Sequence, residues 1–123
     1  MKRDMELIRE LMLSIELKDD SDYAAEELEI IGERDISEIK YHLQLLVDAE
    51  FIKAEVGHYN GNDSPVIVID RMLWNGHEFL ANAYNESVWK KAKAIVAEKG
   101  GTVSAGVLMQ LLASIAKQQF GLS

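Results

Sequence analysis

The sequence predicts an α+β domain that is mostly helical, with two amphipathic helices, one β-hairpin and a helical C-terminal extension. Three observations lead there. Apolar residues recur at helical spacing over 4–17 and again over 36–49, two β-branched runs flank a turn-rich segment at 57–64, and three more helical periods follow residue 74. With 123 residues, 48% apolar and 28% charged, the chain is long enough to bury roughly two thirds of its unfolded surface without staples.

The first helix places Ile8, Leu11, Met12 and Ile15 at i, i+3, i+4 and i+7, with Met5 and Leu7 beside them and Arg9, Glu10 and Glu16 opposite. Asp4 suits its N-cap, since its carboxylate can take the unpaired N–H groups of the first turn. Lys18-Asp19-Asp20-Ser21-Asp22 is a polar run that breaks the helix. From Tyr23 to Gly32 two readings stay open: Ala24, Leu28 and Ile31 fit a helix, while Leu28, Ile30 and Ile31 fit a short strand.

Asp35 or Ser37 caps a second helix running to about Ala49, with Ile36, Ile39, Leu43, Leu46 and Val47 as its buried stripe. Phe51 to Val56 and Pro65 to Ile69 then read as two strands, with Pro65 opening the return strand where its missing N–H is tolerated. Trp74, Phe79, Leu80 and Ala83 mark a third helix over about 75–84. Val88, Trp89, Ala92, Ile95 and Val96 mark a fourth that stops at Gly100-Gly101. Val107, Leu108, Leu111, Leu112 and Ile115 mark a last one over about 104–120. Residues 1–123 read as one domain, with 1–72 as a helix, helix and hairpin core and 73–123 as the extension.

Charge is uneven along the chain. Residues 1–50 carry six Lys/Arg against fifteen Asp/Glu, whereas residues 51–123 carry seven against six, for a formal net charge of −8. Nucleic-acid affinity rests on cations that neutralise phosphates, so the acidic first half opposes approach to DNA. There is no cysteine, which excludes disulfides, thiolate metal sites and a thiol nucleophile. The N-terminus turns amphipathic at once without a signal-type apolar stretch, and no apolar run nears about 18 residues, so a cytoplasmic location and no membrane association are expected.

The order helix, short element, helix, hairpin, trailing helices is that of a winged helix-turn-helix domain. Tyr41-His42-Leu43-x-x-Leu46-x-x-Ala49-x-x-Ile52 looks like the recognition helix and following strand of many winged-helix repressors. With Met1-Lys2-Arg3-Asp4-Met5, Trp74-Asn75-Gly76-His77-Glu78-Phe79-Leu80 and Trp89-Lys90-Lys91-Ala92-Lys93 added, the chain resembles, over essentially its whole length, a family of bacteria, phages and prophages. That family is domain of unknown function twenty-five-thirteen. The resemblance implies a winged-helix-like domain from a mobile-element setting, without an assigned activity. Two positions depart from the pattern. Glu50-Phe51 stands where relatives have Gly-Leu, which asks Glu50 for a left-handed conformation, and Leu73 stands where many have a capping Thr, which leaves the capping to Asn75 or solvent.

Candidate site residues fall into three groups. The solvent face of the second helix carries Glu38, Lys40, Tyr41, Gln44, Leu45 and Asp48, a reader of DNA bases or a face for a basic protein partner, with Tyr41 and Leu45 expected to be exposed. The hairpin tip carries His58, Tyr59, Asn60 and Asn62 as a wing, but no Lys or Arg of the kind that enters a minor groove. Leu108, Leu111, Leu112 and Ile115 in the last helix suit homodimerisation. The exposed Lys90, Lys91, Lys93 and Lys99 read as a solubilising face. The spacing of His42, His58 and His77 matches no metal motif, so no metal is expected; His77 is placed at its helix start and His42 at the core boundary. No nucleophile elbow, Walker loop or dinucleotide fingerprint occurs, so neither an enzyme nor a cofactor is expected.

Overall fold

The computed structural model describes residues 1–18, 20–59, 64–101 and 103–121. Among them run α1 (Met5–Leu17), β1 (Tyr23–Ala24), two 3-10 turns (Ala25–Glu27 and Glu29–Glu33), α2 (Ile36–Asp48), β2 (Ile52–Gly57), β3 (Val66–Met72), α3 (Trp74–Ala83), α4 (Glu86–Glu98) and α5 (Ala105–Gln119). The ambiguous stretch after residue 22 contains both a strand and helical turns. Tyr23 and Ala24 pair with the sheet before the backbone tightens, and Glu27 closes the first turn by accepting the Ala24 N–H at 3.0 Å.

The sheet has strand order β1-β3-β2, all antiparallel, with Tyr23 opposite Ile69 and Val56 opposite Ile67. Lys53 faces Arg71 while Ala54 faces Ile69, so Asp70 is an extra residue on β3 and bulges the hairpin. Ile67 and Ile69 are buried, and α1 packs against both α2 and β3. This is an α+β fold whose order and sheet are consistent with a winged helix carrying additional C-terminal helices.

The chain divides into two compact units, Met1–His77 and Glu78–Ser123, and the division falls inside α3. The core of the first is built on Leu7, Leu11, Met12, Leu28, Ile39, Leu43, Leu46 and Ile52. Its N-terminal cap is Asp4, whose carboxylate accepts the N–H groups of Glu6 at 3.0 Å and Leu7 at 3.2 Å. Asp35 caps α2 in the same way through the Ser37 N–H.

The exit from α2 shows how the Glu50 departure is met. Glu50 adopts φ 60°, its N–H reaches the Val47 carbonyl at 3.0 Å and the Phe51 N–H reaches the Leu46 carbonyl at 2.9 Å. That pair of bonds is the Schellman arrangement, which places the residue after the C-cap in the left-handed region. The chain then enters β2 with Phe51 buried, and the Phe51 carbonyl accepts the Leu73 N–H at 2.8 Å. Helix α3 begins at Trp74, so Asn75 lies within its first turn and Leu73 just ahead of it. A Cβ on Gly76 would overlap the Phe51 carbonyl oxygen and stand 2.8 Å from both Met12 Cε and Met72 Cγ. Only hydrogen lets α3 start this close to the β2 entry. Trp74 itself is exposed, although its spacing with Phe79, Leu80 and Ala83 suggested a common apolar face.

In the second unit α4 packs on α5. Phe79 and Trp89 meet edge to face with ring centroids 6.2 Å apart, and Ala92, Val96 and Leu112 are buried with them. Such an aromatic pair adds about 0.5–1.5 kcal/mol beyond the area it buries.

Candidate interaction surface on the second helix

Among the described residues, the solvent face of helix α2 carries no unpaired cation. Ser37 and Asp48 are exposed, and Glu38, Tyr41, Gln44 and Leu45 are half-buried. Tyr41 and Leu45 are therefore less open than their positions in the sequence suggested: Tyr41 stands edge to face on the His42 ring, with centroids 5.4 Å apart. Gln44 folds back toward the Lys40 carbonyl at 3.5 Å, a long contact that leaves its amide available.

Lys40 does not belong to that face. It is only 7% exposed, and its ammonium is held by Glu26 at 3.2 Å and Ser64 Oγ at 3.0 Å. The 3-10 turns bring Glu26 beside α2, and β3 begins just after Ser64, so the lysine is drawn inward as a tie between them. Burial opposes ionisation of Glu26, but its own backbone N–H and the Lys40 ammonium outweigh this and hold its carboxyl below the ordinary range.

Arg34, ahead of the Asp35 cap, is also consumed. Its Nη1 meets Asp4 and Glu38 at 3.0 Å each, and its Nη2 lies 3.6 Å from Glu10. Three carboxylates on two helices thus share one guanidinium. The Asp4 hydrogen bond, working against burial and aided by Glu10 and Glu38, pushes the Arg34 pKa up. For Asp4 burial is the largest influence and opposes the charge, yet the Arg34 guanidinium and the Leu7 and Glu6 N–H groups together hold its pKa down. Sequence reading did not single out Arg34, Glu10 or Glu26; the i,i+4 spacing of Arg34 and Glu38 was the available signal.

His42 is wholly buried and not at the core boundary. Its Nδ1 hydrogen is donated to the Glu38 carbonyl at 2.8 Å, which leaves Nε2 to accept the Asp4 N–H at 2.7 Å. His77 is the fourth residue of α3 and exposed, with Nδ1 3.9 Å from a Glu16 carboxylate oxygen. Among the described residues no group of three or more His, Asp or Glu could hold a metal ion.

Of the hairpin tip, His58 and Tyr59 are exposed, the Tyr59 ring lying over Gly57, while Asn60 and Asn62 lie outside the described residues. In α5, Leu108, Leu112 and Ile115 are buried within a single chain and Leu111 is half-buried, so the stripe expected to meet a second copy is already covered. Val107 and Phe120 are what that helix leaves open. A groove of about 430 Å³ runs between α3, α4 and α5, lined by Tyr84, Val88, Ala116 and Phe120, and among the described residues no carboxylate, histidine or lysine lines it. Lys90, Lys91, Lys93 and Lys99 are exposed on and just after α4. No helix among the described residues is long and apolar enough to cross a membrane.

The profile of the family described as "Hypothetical protein (DUF2513)" matches residues 2–102, most of the chain. The protein belongs to the DUF2513 family. A relative described as "Uncharacterized protein", from Haemophilus influenzae, is 27% identical over 118 residues, covering 96% of this chain and 98% of that protein. No solved structure matches. The DUF2513 match takes in α1 to α4, including the Arg34 cluster and the Gly76 contact, and stops just ahead of α5.

Proposed function

We propose that this DUF2513 protein is a non-enzymatic interaction module that presents the acidic α2 face to a basic surface of a partner protein. The observation that carries this is the consumption of Arg34 and Lys40 by Asp4, Glu10, Glu38 and Glu26. With those two cations withdrawn, α2 and its N-cap offer the exposed Asp35 and Asp48 together with the half-buried Tyr41 and Leu45. Acidic charge around a small apolar centre speeds encounter with a basic partner and rejects acidic ones. In the phage or prophage setting that the sequence resemblance implies, a host nucleic-acid enzyme has the required basic surface. A cytoplasmic location fits that reading.

A second reading is a DNA-binding transcriptional regulator. What favours it is the element order, which sets α2 where winged-helix proteins carry the helix that enters the major groove, with Tyr41 and Gln44 outward. What weighs against it is that, among the described residues, that face offers no free phosphate-neutralising cation, and phosphate contacts supply most of the affinity.

The two readings separate in one pair of measurements. Purified protein is titrated with pooled random duplex DNA at low and physiological salt, and its cellular partners are captured on wild type and on a Tyr41→Ala/Leu45→Ala variant. The protein reading expects no DNA retention at either salt and a basic partner lost on the double variant. Sequence-selective DNA binding with a steep salt dependence overturns it in favour of a regulator.

A further inference from the structure

Strand β2 is an edge of the sheet among the described residues, so alternate N–H and C=O groups along Ile52–Gly57 point away from β3 without a ladder partner. An exposed edge is a template for another strand unless it is blunted. Here the blunting consists of Lys53 and the bulge at Asp70, whose extra residue lies on β3 and leaves β2 itself uninterrupted. Lys53 and Glu55 are exposed on the solvent face, and Ala54 and Val56 are only half-buried on the other. Lys53 is 61% exposed and sits 3.7 Å from Asp70, a surface pair that yields readily to a better one.

The alternation of these residues is self-complementary. Two copies of one edge strand pair antiparallel about a two-fold axis, and residues opposite each other then lie on the same face. With Ala54 on that axis, Lys53 of each copy stands opposite Glu55 of the other, and Ile52 stands opposite Val56. Sliding the axis by one residue toward Lys53 sets two lysines opposite each other, and sliding it toward Glu55 sets two glutamates. Like charges directly opposite destabilise a ladder, so one register is selected. The small side chain at the axis lets the backbones close.

We propose that β2 pairs with β2 of a second copy of this chain, Lys53 against Glu55 in both directions, joining the two sheets into one of six strands. This surface is separate from α2 and independent of what that helix binds.

The test is the solution mass of the full chain at rising protein concentration in about 0.15 M salt, where charges beyond about 8 Å are screened. Wild type is expected to reach twice 13.8 kDa. Lys53→Glu and Glu55→Lys are each expected to weaken self-association about ten-fold or more, because each sets like charges opposite one another. An equimolar mixture of the two variants restores the pairing as a heterodimer, and the double reversal restores it as a homodimer. Circular dichroism confirms that the exposed substitutions leave the fold intact. A wild type that stays at 13.8 kDa at high micromolar concentration, or single reversals that leave the dimer unchanged, overturns the proposal.

Discussion

His42 Nε2 accepts the backbone N–H of Asp4 at 2.7 Å, so a buried side chain of α2 completes the N-terminus of α1. The Asp4 carboxylate meanwhile caps the same helix and holds Arg34, which returns to Glu38 on α2. One residue thus joins the two helices through both its main chain and its side chain. An imidazolium has no acceptor nitrogen, so the Asp4 bond exists only with a neutral ring protonated at Nδ1.

Replacing His42 with Phe keeps an aromatic ring, somewhat larger than the imidazole, and removes the acceptor. The Asp4 N–H and the Glu38 carbonyl both lose a partner, and we expect a loss of about 1–3 kcal/mol in denaturant unfolding. An unchanged midpoint shows that the imidazole fills space and nothing more.

The acid limb of stability should depend on Asp4. Its folded pKa lies below the unfolded one, so its contribution is complete above the unfolded value near 3.8 and is lost as pH falls through the lower folded value. Asp4→Asn retains a capping oxygen and cannot titrate. The melting temperature of the variant is expected to fall less steeply than that of wild type below about pH 4, and parallel curves refute the assignment.

Tyr23 governs the alkaline limb. Burial, then the neighbouring Asp20 and Glu27 charges, push its pKa up to about 12. A folded pKa above the unfolded 10.0 means that stability is intact below pH 10 and is lost as pH rises toward 12. Tyr23→Phe should flatten that decline, read as melting temperature against pH, and a decline of the same slope places its origin elsewhere.

At Gly76 an added methyl group meets the Phe51 carbonyl, which is part of the backbone and cannot swing aside. Gly76→Ala is expected to cost about 3 kcal/mol or more, at the upper end of overpacking losses. Gly106→Ala, in a helix position where nothing stands within 4 Å, serves as the control and should leave stability unchanged or slightly raised. Equal effects of the two substitutions contradict the close approach.

Glu50 at φ 60° carries a steric penalty that glycine escapes. Glu50→Gly should stabilise by about 0.5–1 kcal/mol, the gain being reduced by the greater freedom of glycine in the unfolded chain. A destabilised variant implies that the Glu50 side chain makes a contribution larger than that penalty.

Much of the α2 surface was legible from spacing. The caps at Asp4 and Asp35, the buried Ile39, Leu43 and Leu46, and the strain at Glu50 all follow from local rules that act within one or two helical turns. Gly76 stood inside a recognisable segment, but nothing in its neighbours announced the backbone pressing on it. Lys40 was misplaced because its partners, Glu26 and Ser64, lie 14 and 24 residues away along the chain. The burial of the α5 stripe within one chain was hidden for a related reason: periodicity shows which face is apolar and not what covers it.

The amino-acid order alone specified the helices, the hairpin, the acidic first half and the family pattern, because propensity, capping and amphipathic period are short-range. Which charges remain free depended on the folded arrangement. Arg34, Lys40 and His42 owe their states to groups brought close by the packing of α1, the 3-10 turns, α2 and β3. Charge interactions follow distance in space, and distance along the chain does not report it.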